Sequence, residues 1–275
     1  VSLIKSISGI RGTIGGKPNE NLTPLDIVRF SAAYGTWVKE TISHSKKIVI
    51  GRDGRISGEM VRNLVVSTLT GLGLDVHDLG LSTTPTVEMA VIGEKAAGGI
   101  IITASHNAQD WNALKLLNSA GEFISSEDGN RILDKAASDA FVFASVDKLG
   151  GYFVDNSYQY KHVQAVIDYP LIDLPAIRGK HFKVVIDTIN STGSLFIPPL
   201  LRALGVENIR ILNEDVNGRF AHNPEPLPEN LSALSAEVKK SGADLGIAVD
   251  PDVDRLCFVC EDGSMFGEEF TLVAV

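Results

Sequence analysis

Asp250, Asp252 and Asp254 stand at alternate positions in DPDVDR, directly after the apolar run LGIAV. Three carboxylates this close repel one another unless something positive sits among them. A hard divalent cation with oxygen ligands, Mg²⁺ above all, meets that need. The plainer alternative is an exposed acidic turn with Arg255 as partial counterion. A second chemically suggestive stretch is GGIIITASHN, where an apolar run stops abruptly at Ser105 and His106. A turn needs no hydroxyl beside an imidazole, so both stretches call for chemistry.

Two other metal loops share part of the acidic pattern. An EF-hand has acids at its first, third and fifth positions, and Glu261 falls at the twelfth, but Arg255 replaces the glycine and strand-like runs flank the loop. A haloacid-dehalogenase-type phosphatase also carries D-x-D, yet it needs a long domain after the motif, and only about twenty residues follow here. For the serine, a hydrolase reading fails twice. Neighbours at a strand end diverge, which places His106 poorly as the base for Ser105, and no G-x-S-x-G elbow is present. A serine that carries a phosphoryl group fits better, because a phosphate oxygen can complete the shell of a cation held by the three aspartates. Cationic side chains then neutralise the charge that moves during transfer. The candidates are Arg11, Arg52, Arg55, Lys115 and Arg255. Lys115 interrupts an apolar strand, and Arg11 lies between glycines. His106 either serves the site or orders the loop, and HNPEPLPENL is either a cleft-facing segment or a proline-punctuated helix entry.

The elements that must hold these groups alternate. TPLDIVRFSAAYGTWVKETI begins as a helix, with Thr23 as N-cap and Pro24 at the first helical position. KKIVIG predicts a strand, and residues 57–73 a helix with Val61, Leu64, Val65, Leu69 and Leu72 on one face. LDVHDLG, GGIIIT and NALKLLN read as strands and TPTVEMAVIG as a helix. The second half repeats the plan: strands at FKVVID, VENIRIL, ADLGIAV and RLCFVC, with helices in TGSLFIPPLLRALG and from near Pro228. This predicts two consecutive α/β domains with mostly parallel sheets flanked by helices, spanning 1–150 and 151–262, plus the start of a third at 263–275. A linker is expected within 149–157. GRDGRISG, TASHN and DPDVDR all follow strands, and ligands gather at the carboxyl ends of such strands.

Composition narrows the function. With 275 residues, 44% hydrophobic and 21% charged, the chain reads as an ordinary soluble protein without a membrane span or a signal-peptide core. A net charge of −9 argues against nucleic acid or an anionic membrane as partner. Cys257 and Cys260 form a lone C-x-x-C whose members point to opposite faces of a strand. They predict two buried, inert thiols in a reducing, cytoplasmic setting rather than a zinc site.

SGIRG, GRDGR, TASHN with its downstream lysine, HNPEP and DPDVDR occur here in the order found in the α-D-phosphohexomutases, and the chain resembles that superfamily over essentially its whole length. It is most similar to the phosphoglucosamine, phosphomannose and phosphoglucose mutase branch. The resemblance implies an isomerase that moves phosphate reversibly between the 1- and 6-positions of a hexose phosphate, through a phosphoserine at Ser105 and a hexose 1,6-bisphosphate. It implies Mg²⁺ on Asp250, Asp252 and Asp254 together with the Ser105 phosphate. Lys115, Arg11 and His106 join Ser105 as catalytic candidates, with Asn107, Arg255 and Arg52 in support. It also implies two further domains, III and IV, that carry sugar- and phosphate-recognition loops, so this stretch alone is expected to turn over little substrate. Glucosamine or mannose phosphate is the favoured substrate. The sequence departs from the family's usual pattern at Ala108, Ala113 and Pro251. A non-catalytic sugar-phosphate-binding module is the main alternative, and a Mg²⁺-dependent phosphatase a weaker one.

Overall fold

The computed structural model describes residues 2–6, 9–266, 270, 271 and 273. The chain divides into two compact units. The first contains residues 1–52, 56–104 and 110–156; the second contains 53–55, 105–109 and 157–275.

The first unit is built on a seven-stranded sheet. Its elements are β1 (Ile4–Ser6), β2 (Gly9–Thr13), α1 (Pro24–Thr41), β3 (Lys47–Arg52), α2 (Gly58–Gly71), β4 (Asp75–Leu81), α3 (Thr84–Gly93), β5 (Gly98–Ile102), β6 (Trp111–Leu117), α4 (Ser126–Ala137) and β7 (Tyr152–Val154). The strand order is β1-β2-β6-β5-β3-β4-β7. Thr23 caps α1 through a capping box with Asp26, and Pro24 follows it, as the sequence leads one to expect. Ile48, Ile50, Ile100 and Ile102 share a core with Phe30 of α1, Val65 of α2 and Ile132 of α4. The alternate positions Gly51 and Gly99 face Val87 and Val91 of α3. A sheet covered on both faces explains why its central strands read as unbroken apolar runs.

The expectation of a mostly parallel sheet needs correction here. β3 pairs in parallel with β4 and β5, and β4 with β7. β5, β6, β2 and β1 pair antiparallel in succession. The connection from β5 to β6 is too short for a helical crossover, so β6 must return antiparallel. The stretch read as linker contains β7, and residues 9–12 of SGIRG lie in strand β2. At Gly9, where φ is +118°, a Cβ would lie 2.3 Å from the carbonyl oxygen of Leu114. That glycine therefore serves close strand packing.

The second unit carries α5 (Tyr158–Ile167), α6 (Leu174–Lys180), β8 (Lys183–Asp187), α7 (Gly193–Ala203), β9 (Asn208–Leu212), α8 (Ser232–Ser241), β10 (Leu245–Val249) and β11 (Leu256–Cys260). Its sheet order is β11-β10-β8-β9, parallel except for the β10–β11 hairpin. Val185, Ala248 and Cys257 pack with Leu234 and Val238 of α8. The alternate residues Val184, Ile186, Ile247 and Val249 pack with Leu201 of α7. Within α7, Pro199 has no N–H for the Leu195 carbonyl, and the side-chain amide of Gln159 donates to it instead. Pro228 opens a short 3₁₀ turn rather than the helix itself, which starts at Ser232. Neither cysteine is in a disulfide, and only Cys257 is buried. Cys260 ends the edge strand β11 on its opposite face, which leaves it half-buried. Of the expected third-domain start, Phe270, Thr271 and Val273 are helical, and residues 267–269, 272 and 274–275 lie outside the described residues.

Candidate active site

Three loops at strand carboxyl ends supply the candidate groups. Asp53–Arg55 follows β3, Ser105–Gln109 follows β5 and the acidic loop follows β10; all three belong to the second unit. Ser105 Oγ donates to Asp250 Oδ2 at 2.6 Å and lies 3.4 Å from Asp254 Oδ1. Asp250, Asp252 and Asp254 each offer a carboxylate oxygen within 4.8 Å of the others. Asp250 and Asp252 are buried and Asp254 is exposed. The loop closes on itself, because Asp250 Oδ1 accepts from the backbone N–H groups of Asp254 and Arg255, each at 3.1 Å.

Burial, reinforced by the carboxylates of Asp252 and then Asp254, raises the pKa of Asp250 well above the usual carboxylate range. The donor set is all oxygen, two of its members are buried, and its negative charge is crowded. Those are the properties a site for Mg²⁺ requires, and the residues present fit that ion. Backbone strain marks the same loops: Ser105 has φ +49° and the β-branched Val253 has φ +60°.

His106 lies closer to the serine than strand geometry implies. The left-handed turn at Ser105 brings His106 Nδ1 to 3.4 Å from Oγ, at the long limit for a hydrogen bond, whereas Asp250 is much nearer. The Asn107 carbonyl accepts from Arg55 at 2.7 Å. Arg255 Nη1 lies 3.4 Å from Glu225 of the HNPEP segment. Arg11, Lys115 and Arg52 belong to the first unit. Arg11 sits on β2 opposite Ala113 of β6, and its Nε is buried without a hydrogen-bond partner. Lys115 is on β6 opposite Ile101, with Nζ 5.9 Å from the centre of the Phe123 ring. Arg52 ends β3, and its carbonyl accepts from the Ser82 N–H at 2.8 Å. Ser105, His106, Asn107, Arg255 and the three aspartates thus gather in one unit, while these three cations occupy strands of the other.

The unusual residues at 108 and 251 contribute carbonyls, which any residue type supplies. Ala108 O accepts from Arg55 Nη1 at 2.7 Å. Pro251 O accepts from the hydroxyls of Ser191 and Thr192 at 2.7 and 2.8 Å.

A fourth loop escapes the motif search. Residues 188–193 follow β8, so their place at a strand carboxyl end was the available signal. Here Asp187 Oδ1 accepts from Ile189 N and Asn213 Nδ2, and Asp187 Oδ2 lies 3.1 Å from His222 Nε2. His222 Nδ1 is 2.8 Å from the carbonyl of Asn223. An imidazole can donate at both nitrogens only when protonated. Burial lowers its pKa, but the hydrogen bond and charge of Asp187 and the Asn223 carbonyl outweigh burial and raise it overall. The stabilisation is therefore complete below the unfolded value and is lost as pH rises through the higher folded value. An NMR titration of His222 should give a midpoint above ~6.5, the ordinary histidine value. Asp187→Asn should lower that midpoint, and no change on that substitution would contradict the pairing.

Residues 3–143 match the family described as phosphoglucomutase/phosphomannomutase, alpha/beta/alpha domain I, and residues 160–263 match its domain II. The chain is 36% identical over 268 residues to a phosphoglucomutase/phosphomannomutase of Thermococcus kodakarensis, covering 96% of this chain and 58% of that protein. It is 35% identical over 269 residues to a probable phosphoglucosamine mutase of Methanopyrus kandleri, covering 98% of this chain and 56% of that protein. Among solved structures, a putative phosphomannomutase from Thermus thermophilus is similar with a TM-score of 0.82 and 28% identity, over 97% of this chain and 59% of that one. The chain belongs to the phosphoglucomutase/phosphomannomutase family of the α-D-phosphohexomutase superfamily. It spans less than two thirds of the length of these relatives. No described helix is long and apolar enough to cross a membrane.

Proposed function

We propose that this chain carries the phosphoryl-transfer half of a phosphohexomutase. The observation that supports this best is the 2.6 Å contact between Ser105 Oγ and Asp250, within a cluster of three carboxylates. In this reading Ser105 carries the phosphoryl group. Its Oγ–P bond breaks as a hydroxyl of the bound hexose monophosphate forms a new O–P bond. The resulting 1,6-bisphosphate turns end for end and returns its other phosphoryl group to Oγ. Asp250, Asp252 and Asp254 would hold Mg²⁺, which when bound supplies charge neutralisation at the phosphoryl oxygens. Lys115 and Arg11 assist the movement of the hydroxyl proton and of charge, His106 borders Oγ, and Arg255, Asn107 and Arg52 support the loops. Residues 1–150 act as domain I, 151–262 as domain II, and 263–275 lead into a third. The favoured substrate is glucosamine or mannose phosphate, met in the cytoplasm by an enzyme completed by domains III and IV.

The test uses the full-length protein with Mg²⁺ and the 1-phosphates of glucose, mannose and glucosamine. Conversion to a 6-phosphate, with intact mass showing one phosphate that maps to Ser105, is the expected result. Tight binding with neither conversion nor phosphate would favour a binding module instead. Release of inorganic phosphate without isomerisation would favour a phosphatase.

A further inference from the structure

We propose that Arg55 is a positioning residue for Ser105, acting through the backbone carbonyls of the serine loop. This rests on the phosphoserine reading above and extends it to a residue that reading does not use. The Arg55 side chain is 0% exposed, and its Nε pairs with Asp53 Oδ2 at 3.0 Å. Asp53 Oδ1 also accepts from the Arg55 backbone N–H at 3.0 Å. The two outer nitrogens of the guanidinium then reach three carbonyls of one loop. Nη2 donates to Ser105 O at 2.6 Å and Asn107 O at 2.7 Å, and Nη1 donates to Ala108 O at 2.7 Å. The Phe220 ring lies over the same group, 5.1 Å from ring centre to Cζ.

This arrangement addresses a specific difficulty. Ser105 is held at φ +49°, a conformation that a non-glycine residue keeps only when its surroundings over-determine it. Anchoring the carbonyl of Ser105 and two more within the next three residues fixes the turn, and with it the direction in which Oγ leaves the backbone. The same tripeptide is also tied to the acidic loop. The Gly54 N–H donates to Ser191 Oγ at 2.9 Å, and Ser191 Oγ donates to Pro251 O at 2.7 Å. A Cβ on Gly54 would sit 3.0 Å from Ser191 Cα, so the close approach favours glycine. Residues 53–55 therefore brace both the loop that bears the hydroxyl and the loop that bears the carboxylates. A rigid planar fork can serve three separated carbonyls and a carboxylate at once; the ammonium of lysine, a compact point charge, cannot.

The experiment measures phosphorylation of Ser105 in the full-length protein by glucose 1,6-bisphosphate, using intact mass against time. Arg55→Lys keeps the charge opposite Asp53 but loses the fork. The expected result is a fall of about 100-fold in the phosphorylation rate and in kcat. KM for the hexose phosphate and the affinity for Mg²⁺ should stay within about threefold, because the guanidinium acts on the serine loop and is given no role toward Mg²⁺ or the sugar. Arg55→Ala should show the same loss, with at least about tenfold recovery on adding methylguanidinium. Phosphorylation of either variant within threefold of wild type would overturn the proposal. So would a parallel collapse of Mg²⁺ affinity without rescue, or loss of cooperative melting in both variants, since each marks Arg55 as a support of the fold alone. Failure of the wild-type protein to accept phosphate would instead count against the phosphoserine reading itself.

Discussion

Ser105→Ala in the full-length protein is expected to reduce isomerisation by at least ~10⁴-fold, because the acceptor of the travelling phosphoryl group is gone. The single phosphate seen by intact mass should disappear with it. The loss should be selective. Ser105 Oγ donates to Asp250 and lies 3.4 Å from Asp254, and the substitution leaves the three carboxylates themselves in place. Mg²⁺ affinity of the unphosphorylated protein should therefore change by less than about threefold. Stability should fall by about 0.5–1.5 kcal/mol, the usual net worth of a hydrogen bond to an uncharged partner, when measured without metal by denaturant unfolding. Appreciable isomerisation by Ser105→Ala would exclude the serine as phosphoryl carrier, whatever the geometry around it.

Asp250→Asn should act through the metal. Its carboxylate is buried and faces two others, so the metal-free fold disfavours its ionised form. A folded-state pKa raised above that of the unfolded chain gives a contribution present in full below the unfolded value. That contribution is lost as pH rises through the folded value. Metal-free protein should accordingly lose stability from this group between acid and neutral pH, and Asp250→Asn should flatten the decline. Mg²⁺ reverses the preference by favouring the ionised form. The rise in melting temperature produced by Mg²⁺ should therefore be larger at pH 8 than at pH 5. Asp250→Asn should weaken Mg²⁺ binding at least ~100-fold by calorimetry, beyond what loss of an outer-shell partner usually costs. A melting temperature indifferent to Mg²⁺ at pH 8 would remove the cation from the site.

The elements with strong local signals were legible in the primary structure. The cap and proline before α1, the apolar face of α2 and the central strands all follow from short-range rules. β1, β7, α4, α5 and α6 were not. β1 and β7 are three-residue edge strands that exist through pairing with β2 and β4, so no run of their own announces them. α5 buries only Tyr158 fully and α6 buries no residue fully, which leaves little apolar periodicity to detect. The mixed character of the first sheet was hidden too, because strand direction depends on how the connecting chain travels.

Much the same division runs through the candidate site. The primary structure alone determined the chemical inventory: one hydroxyl after an apolar strand, three carboxylates in alternation after another, and a set of candidate cations. Chemistry of this kind, the hydroxyl, the carboxylates and the cations that precede, separate and follow them, is carried by residue type and short spacing. Only the tertiary structure decided that the hydroxyl of residue 105 meets the carboxylate of residue 250, that Arg55 is spent on three carbonyls, and that Asp187 holds His222. Those contacts join residues 35 to 145 positions apart. No local rule links residues so separated; β3 and β5, for example, are parallel neighbours, so the loops that carry Arg55 and Ser105 leave the same edge of one sheet.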